Sequence, residues 1–173
     1  KPDNVGITAP PSAECGPGNA IGLINKYDNL LVVNTFSKSR SLAGARVGYA
    51  IASAQIIEDV KKIKNSFHPY NVNSLSSALA TQAIADDEYF KYTVEKVKAS
   101  RQKLTEELQS LGFYVLPSAA NFVLAKTAAL SGNELYLKLK DRGVLVRYFS
   151  DERIAEFVRI SVGTDEEIDK LST

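Results

Sequence analysis

Leu30-Leu31-Val32-Val33-Asn34-Thr35-Phe36-Ser37-Lys38-Ser39-Arg40-Ser41-Leu42-Ala43-Gly44-Ala45-Arg46-Val47-Gly48-Tyr49-Ala50 is the stretch around which the rest of the chain is arranged. Leu30 to Val33 is a short run of branched apolar residues bounded by polar ones, the pattern of a buried strand. A second apolar run, Val47 to Ala52, returns to the core. Between the two lie Thr35, Ser37, Ser39 and Ser41, with Lys38 among them. Lys38 therefore leaves the end of a strand on a short hydroxyl-rich loop, where open α/β sheets hold their ligands. The hydroxyls and the guanidinium of Arg46 suit an anion such as a phosphate. A cation beside a lysine also favours its neutral form, the form that attacks carbonyls. Taken alone, a lysine in a polar loop is an ordinary solvated residue.

The chain has 173 residues, enough for one good core or parts of two. Its 45% hydrophobic and 24% charged content is that of an ordinary globular protein. A net charge of +1 gives no electrostatic reason to expect nucleic acid or an anionic membrane surface. No apolar run reaches bilayer length, and no signal-peptide pattern is present. Cys15 is the single cysteine, so no internal disulfide forms, and a reducing, cytoplasmic location is expected. His68 is the only histidine, which leaves a histidine-based metal site or a Ser-His-Asp triad little to build on; no metal is expected.

Residues 1–20, rich in Pro, Gly and Asn, read as irregular. Ala20 to Asn29 reads as a short helix leading into the strand at Leu30. Ser53 is placed to cap a helix running to about Asn65, with Ile56, Ile57, Val60 and Ile63 on one face and Lys61, Lys62 and Lys64 on its solvated side. Asn73 or Ser74 caps an alanine-rich helix, Leu75 to Ala85, expected in the core. A long amphipathic helix from about Glu88 to Leu111 follows, its inward stripe being Tyr89, Phe90, Thr93, Val97, Leu104, Leu108 and Leu111, and Gly112 stops it. Strands are expected at Phe113–Leu116, Asn121–Ala125, Val144–Arg147 and Phe157–Ser161. Ser131 caps a helix over Gly132–Asp141, Gly143 ends it, and Gly163-Thr164-Asp165 opens a last acidic helix. That alternation makes a small α/β layer of antiparallel character with helices on one side.

Thr35-Phe36-Ser37-Lys38 followed by Leu42-Ala43-Gly44-Ala45-Arg46-Val47-Gly48-Tyr49 resembles the lysine signature of the fold-type I pyridoxal-phosphate aminotransferases, and within them the histidinol-phosphate aminotransferase branch. The likeness continues through Pro69-Tyr70-Asn71-Val72-Asn73, Gly143-Val144-Leu145-Val146-Arg147 and Val158-Arg159-Ile160-Ser161-Val162-Gly163-Thr164, covering about residues 20–173. It implies an α/β fold in two parts: residues 1–72 as the C-terminal remnant of the large cofactor domain, and 73–173 as connecting helices and the small C-terminal domain. It implies pyridoxal 5'-phosphate as cofactor, Lys38 as the Schiff-base lysine, and Thr35, Ser37 and Arg46 as holders of the cofactor phosphate. Arg159 is then the residue that grips a substrate carboxylate, and Arg147 lines the substrate pocket, where it can meet a substrate phosphate. Asn121 is a further, lesser candidate for that pocket, and Tyr70 and Asn71 for the neighbourhood of the site and of a subunit boundary. The implied reaction is amino transfer between an L-amino acid such as glutamate and a 2-oxo acid or imidazole-acetol phosphate, in histidine biosynthesis.

The sequence also departs from the family. Relatives carry an aspartate upstream of the lysine strand that pairs with the cofactor ring nitrogen; this chain reads Gly6-Ile7-Thr8-Ala9-Pro10-Pro11, with Asp3 and Glu14 out of pattern. The upstream phosphate loop and ring-stacking aromatic are absent, and the chain starts at Lys1 without any methionine. A fragment with an incomplete site is therefore expected, inactive in isolation and assembling as a homodimer through its exposed sheet edge. Three readings stay open beside this one. A hydroxyl-x-x-lysine hydrolase is suggested by Thr35-Phe36-Ser37-Lys38. The chain reads also as a non-catalytic dimerisation or structural domain, or as part of an aromatic or related class I/II aminotransferase. Arg159 has a local alternative as well, a salt bridge to Glu166 or Glu167, because a buried arginine needs an anion.

Overall fold

The computed structural model describes residues 6–8, as backbone, and 20–172. Two compact units divide between Val94 and Glu95. The boundary expected from sequence, 72/73, falls ahead of the alanine-rich helix. Asp3, Glu14 and Cys15 lie outside the described residues.

The first unit is built on a three-stranded sheet, β1 (Gly6–Thr8), β2 (Leu30–Thr35) and β3 (Gly48–Ile51), in the order β1-β2-β3. β2 pairs parallel with β1 and antiparallel with β3, with Thr35 opposite Gly48. The strand β1 corrects the irregular reading of residues 1–20: the ladder groups of β2 recruit Gly6–Thr8 in the register Gly6↔Leu30 to Thr8↔Val32. The segment before β2 is a single 3-10 turn over Ala20–Leu23, shorter than the expected helix. Helix α1 (Ala54–Phe67) starts after Ser53, as read, but the Ser53 hydroxyl donates to Asp28 O rather than capping. Of its expected apolar face Ile56 is buried, whereas Ile63 is exposed.

Helix α2 (Ser74–Ala85) is capped by Asn73, whose side chain accepts from Ser76 N at 2.8 Å. Its burial is a correction: only Ser76 and Ala80 are buried, and Leu75, Leu79 and Ile84 face outward. Helix α3 (Asp87–Ser110) buries Val94, Leu104 and Leu108, but Tyr89 and Leu111, expected on its inward stripe, are exposed. Gly112, at φ +83°, ends α3 in the left-handed conformation that a side chain disfavours.

The second unit holds a four-stranded antiparallel sheet in the order β4-β5-β7-β6: β4 (Tyr114–Val115), β5 (Phe122–Lys126), β6 (Arg147–Tyr148) and β7 (Val158–Ser161). Alternation sorts its faces. Val123, Ala125, Val158 and Ile160 point into a core with Leu104, Leu108, Val115, Leu135 and Ile168. Phe122, Leu124, Arg159 and Ser161 take the other face. Helix α4 (Gly132–Asp141) carries the expected cap as a full capping box, Ser131 and Glu134 exchanging hydrogen bonds with each other's backbone. Its C-terminus corrects the strand expected at Val144–Arg147. Gly143 N donates to Lys140 O and Val144 N to Leu139 O, so Val144 is spent closing the helix and β6 starts at Arg147. Helix α5 (Asp165–Ser172) closes the described chain. Among the described residues no helix is long and apolar enough to cross a membrane.

Candidate active site

In the first unit β2 delivers the candidate residues to one turn. Phe36, the residue after the strand, is buried; it packs on Val47 and Ala80 and meets the Tyr49 ring edge-on at 5.6 Å. Phe36 N donates to Val47 O at 3.1 Å, which closes the loop at its base. Inside the loop Ser41 N donates to Lys38 O at 3.0 Å and Leu42 N to Phe36 O at 3.0 Å. Ser41 and Arg46 both take left-handed backbone, φ +56° and +55°. For residues with a side chain that conformation stores about 1 kcal/mol or more each, and strain of this sort concentrates at functional sites.

Thr35 and Ser37, both cofactor-binding candidates, are brought together. Thr35 Oγ1 lies 2.8 Å from Ser37 Oγ and 3.3 Å from Val47 O, and it accepts from Ser37 N at 3.1 Å. Arg46 is exposed and donates from Nη1 to Ala43 O at 3.0 Å, which leaves most of its fork unused. Lys38 is exposed at the tip, and its amine has no hydrogen-bond or salt-bridge partner among the described residues. One free amine, two hydroxyls and a guanidinium on a single strained turn match the donor set that a phosphate-bearing aldehyde needs. Gly48 belongs to the same construction: a Cβ there would sit 2.8 Å from Asn34 O. Tyr70, a lesser candidate, is 91% exposed, and Lys64 holds its turn by donating to Pro69 O at 3.0 Å.

In the second unit Arg147 and Arg159 are directly opposite each other across β6 and β7. Both guanidinium groups face the ring of Phe149, at 5.3 Å and 5.5 Å from its centroid, and Arg159 also lies 5.2 Å from that of Phe122. The salt bridge to Glu166 or Glu167 does not form. Glu167 instead accepts from Thr164 N at 2.8 Å, and neither arginine has a carboxylate partner among the described residues. Two like charges opposed on one face, held by aromatic rings and unpaired, are arranged to receive an anion. Asn121 is half-buried just ahead of β5, its carbonyl accepting from Val162 N at 2.9 Å. It shares the strand parity of Val123 and Ala125, the core-facing set, and not that of Arg159.

Phe122, Phe149 and Gly48 were not singled out from sequence. Strand alternation alone pairs Phe149 with Arg147, two positions away, but its stacking on Arg159 depends on a cross-strand register that no local pattern shows.

The aminotransferase class I and II family model matches residues 8–173. The chain is 52% identical over 156 residues to histidinol-phosphate aminotransferase 2 of Rhizobium meliloti, covering 90% of this chain and 44% of that protein. It is 43% identical to the histidinol-phosphate aminotransferase of a Marinomonas species, covering 99% of this chain and 49% of that one. Among solved structures, the histidinol-phosphate aminotransferase of Clostridium acetobutylicum superposes with a TM-score of 0.86 at 26% identity, over 96% of this chain and 51% of that one. The Sinorhizobium meliloti enzyme, solved in complex with pyridoxal-5'-phosphate, gives 0.82 at 28%, over 97% and 46%. The chain thus spans about half the length of the relatives it matches.

Proposed function

The chain belongs to the class I and II aminotransferase family, and from that membership we propose that Lys38 is the lysine to which pyridoxal 5'-phosphate is tethered in a histidinol-phosphate aminotransferase. The observation that carries this reading is the turn itself, where the Lys38 amine, without a partner among the described residues, shares one strained loop with Thr35, Ser37 and Arg46. Thr35, Ser37 and Arg46 hold the phosphate. Arg159 grips the substrate α-carboxylate through two parallel N–H bonds, and Arg147 meets the second anionic group of a substrate that bears one. When bound, the cofactor supplies the electron sink for a substrate carbanion. The work of this chain is to place the substrate amine and to move one proton. Lys38 Nζ takes the proton from the substrate Cα and returns it as an acid one step later.

Substrates of the reading are an L-amino acid such as glutamate and a phosphorylated oxo partner bearing an imidazole, which places the reaction in histidine biosynthesis. β1 carries no carboxylate to pair with a ring nitrogen, so aldehyde capture, not full turnover, is expected of this chain by itself. Titrating the purified chain with pyridoxal 5'-phosphate should produce an absorbance band that borohydride abolishes. The band should weaken in Arg46→Leu and vanish in Lys38→Ala. A band that survives Lys38→Ala overturns the assignment.

The same reading makes the chain part of a homodimer. Phe67 is 86% exposed and, with Tyr70, Leu75 and Ile84, leaves the first unit with the large apolar side chains that mark association surfaces. Light scattering should return twice the chain mass; a monomer contradicts this part.

A further inference from the structure

Arg40 lies two residues beyond Lys38 on the same loop, and its guanidinium is engaged on two sides. Nη1 donates to Ala83 O at 2.6 Å, and Cζ stands 3.7 Å from the centroid of the Phe90 ring. Ala83 is in the last turn of α2, where the carbonyls have no partner within the helix. A guanidinium there satisfies one of them and complements the negative end of the helix. Phe90 is in the first turn of α3. One side chain thus ties the lysine-bearing loop to the α2–α3 junction. Asp87, in that same turn, pairs with Lys91 at 2.6 Å. Its carboxyl is held below the ordinary aspartate range mainly by that hydrogen bond, with Arg40 adding the smallest pull.

The other end of the loop is fixed independently, by Phe36 N on Val47 O at 3.1 Å and by burial of Phe36. Arg40 is the only side chain beyond Lys38 on this turn that a hydrogen bond carries to another element among the described residues. A lysine would bring the charge, but not the flat face together with a directed N–H.

We propose that Arg40 is a positioning residue for Lys38: held between the Ala83 carbonyl and the Phe90 ring, it fixes the loop in the conformation that presents the amine to a phosphate-bearing aldehyde. This rests on Lys38 being the capturing lysine. In the capture the amine nitrogen forms a C=N bond with the aldehyde carbon, and the aldehyde oxygen leaves as water. Borohydride then delivers hydride to that carbon and makes the link permanent.

The test uses the full chain with pyridoxal 5'-phosphate, borohydride trapping and peptide mass mapping, read as the ratio of label on Lys38 to label on Lys26. Lys26, exposed ahead of β2 and with no side-chain hydrogen bond or salt bridge among the described residues, reports unassisted reactivity in the same unit. Wild type should favour Lys38, and Arg40→Gln and Phe90→Leu should each lower the ratio about tenfold, as loss of orientation does. Phe90→Tyr, which keeps the ring, should hold the wild-type ratio, a rescue that general loosening of the fold would not give. A wild-type ratio preserved in Arg40→Gln overturns the inference and leaves Lys38 standing. If that variant does not fold, a ratio preserved in Phe90→Leu decides in the same way. A wild-type ratio near one removes the Lys38 reading, and this one with it.

Discussion

Arg147 and Arg159 stand opposite each other across β6 and β7, both facing Phe149. A like-charge pair in that position costs roughly 0.2–1 kcal/mol, which an anion between the two would reverse. Replacing Arg147 with threonine should leave the melting temperature unchanged or raise it slightly in low salt. Added 2-oxoglutarate should raise the melting temperature of wild type more than that of Arg147→Thr or Arg159→Leu. Equal shifts in all three would remove the anion site.

Gly48 faces the backbone of β2, and a Cβ there would lie 2.8 Å from Asn34 O. Gly48→Ala should therefore cost about 1–3 kcal/mol in urea unfolding. Gly44→Ala, where a Cβ meets nothing within 4 Å, should stay within about 0.5 kcal/mol of wild type. Matching losses at both positions would contradict the packing described for the loop.

Leu104 is 1% exposed at the centre of the second unit's core, whereas Leu145, in the segment between α4 and β6, is 80% exposed. Leu104→Ala should destabilise by about 2–5 kcal/mol. Leu145→Ala should change stability by less than about 0.5 kcal/mol. Chemical denaturation of the two variants side by side checks the assignment of the core.

Glu134 closes the α4 capping box, and the Ser131 backbone N–H, then its hydroxyl, hold its carboxyl below the ordinary glutamate range. The folded pKa lies beneath the unfolded one, so this support is present above the unfolded value and is lost as pH falls through the folded one. Glu134→Gln should be less stable than wild type at neutral pH, and the two should converge in acid. Curves that stay parallel down the pH range would show that the carboxylate contributes nothing.

Local chemistry made much of the fold legible. Asn73, Ser131, Gly112 and Gly143 are side chains and glycines whose capping roles are written within a few residues, and the helices start or stop at them. β1 was not legible, because three residues of Gly-Ile-Thr acquire strand character only from a partner more than twenty positions away. The start of β6 slipped for a related reason: Val144 looks like strand, but its N–H is already committed to Leu139 O. Tyr89 and Leu111 fit a helical stripe, yet face outward. At the site, Lys38, Thr35, Ser37 and Arg46 share one short segment and could be read together. Phe149 and Arg40 could not, since the partners that give them meaning lie on other elements.

The account is tested most directly by mapping where pyridoxal 5'-phosphate becomes fixed on this chain after borohydride reduction, at sub-stoichiometric cofactor. It predicts that mass spectrometry places the added pyridoxyl group on Lys38, and that Ser37→Ala and Arg46→Leu reduce that yield. Label spread evenly over exposed lysines such as Lys61 and Lys62, with Lys38 no richer than the rest, would contradict it.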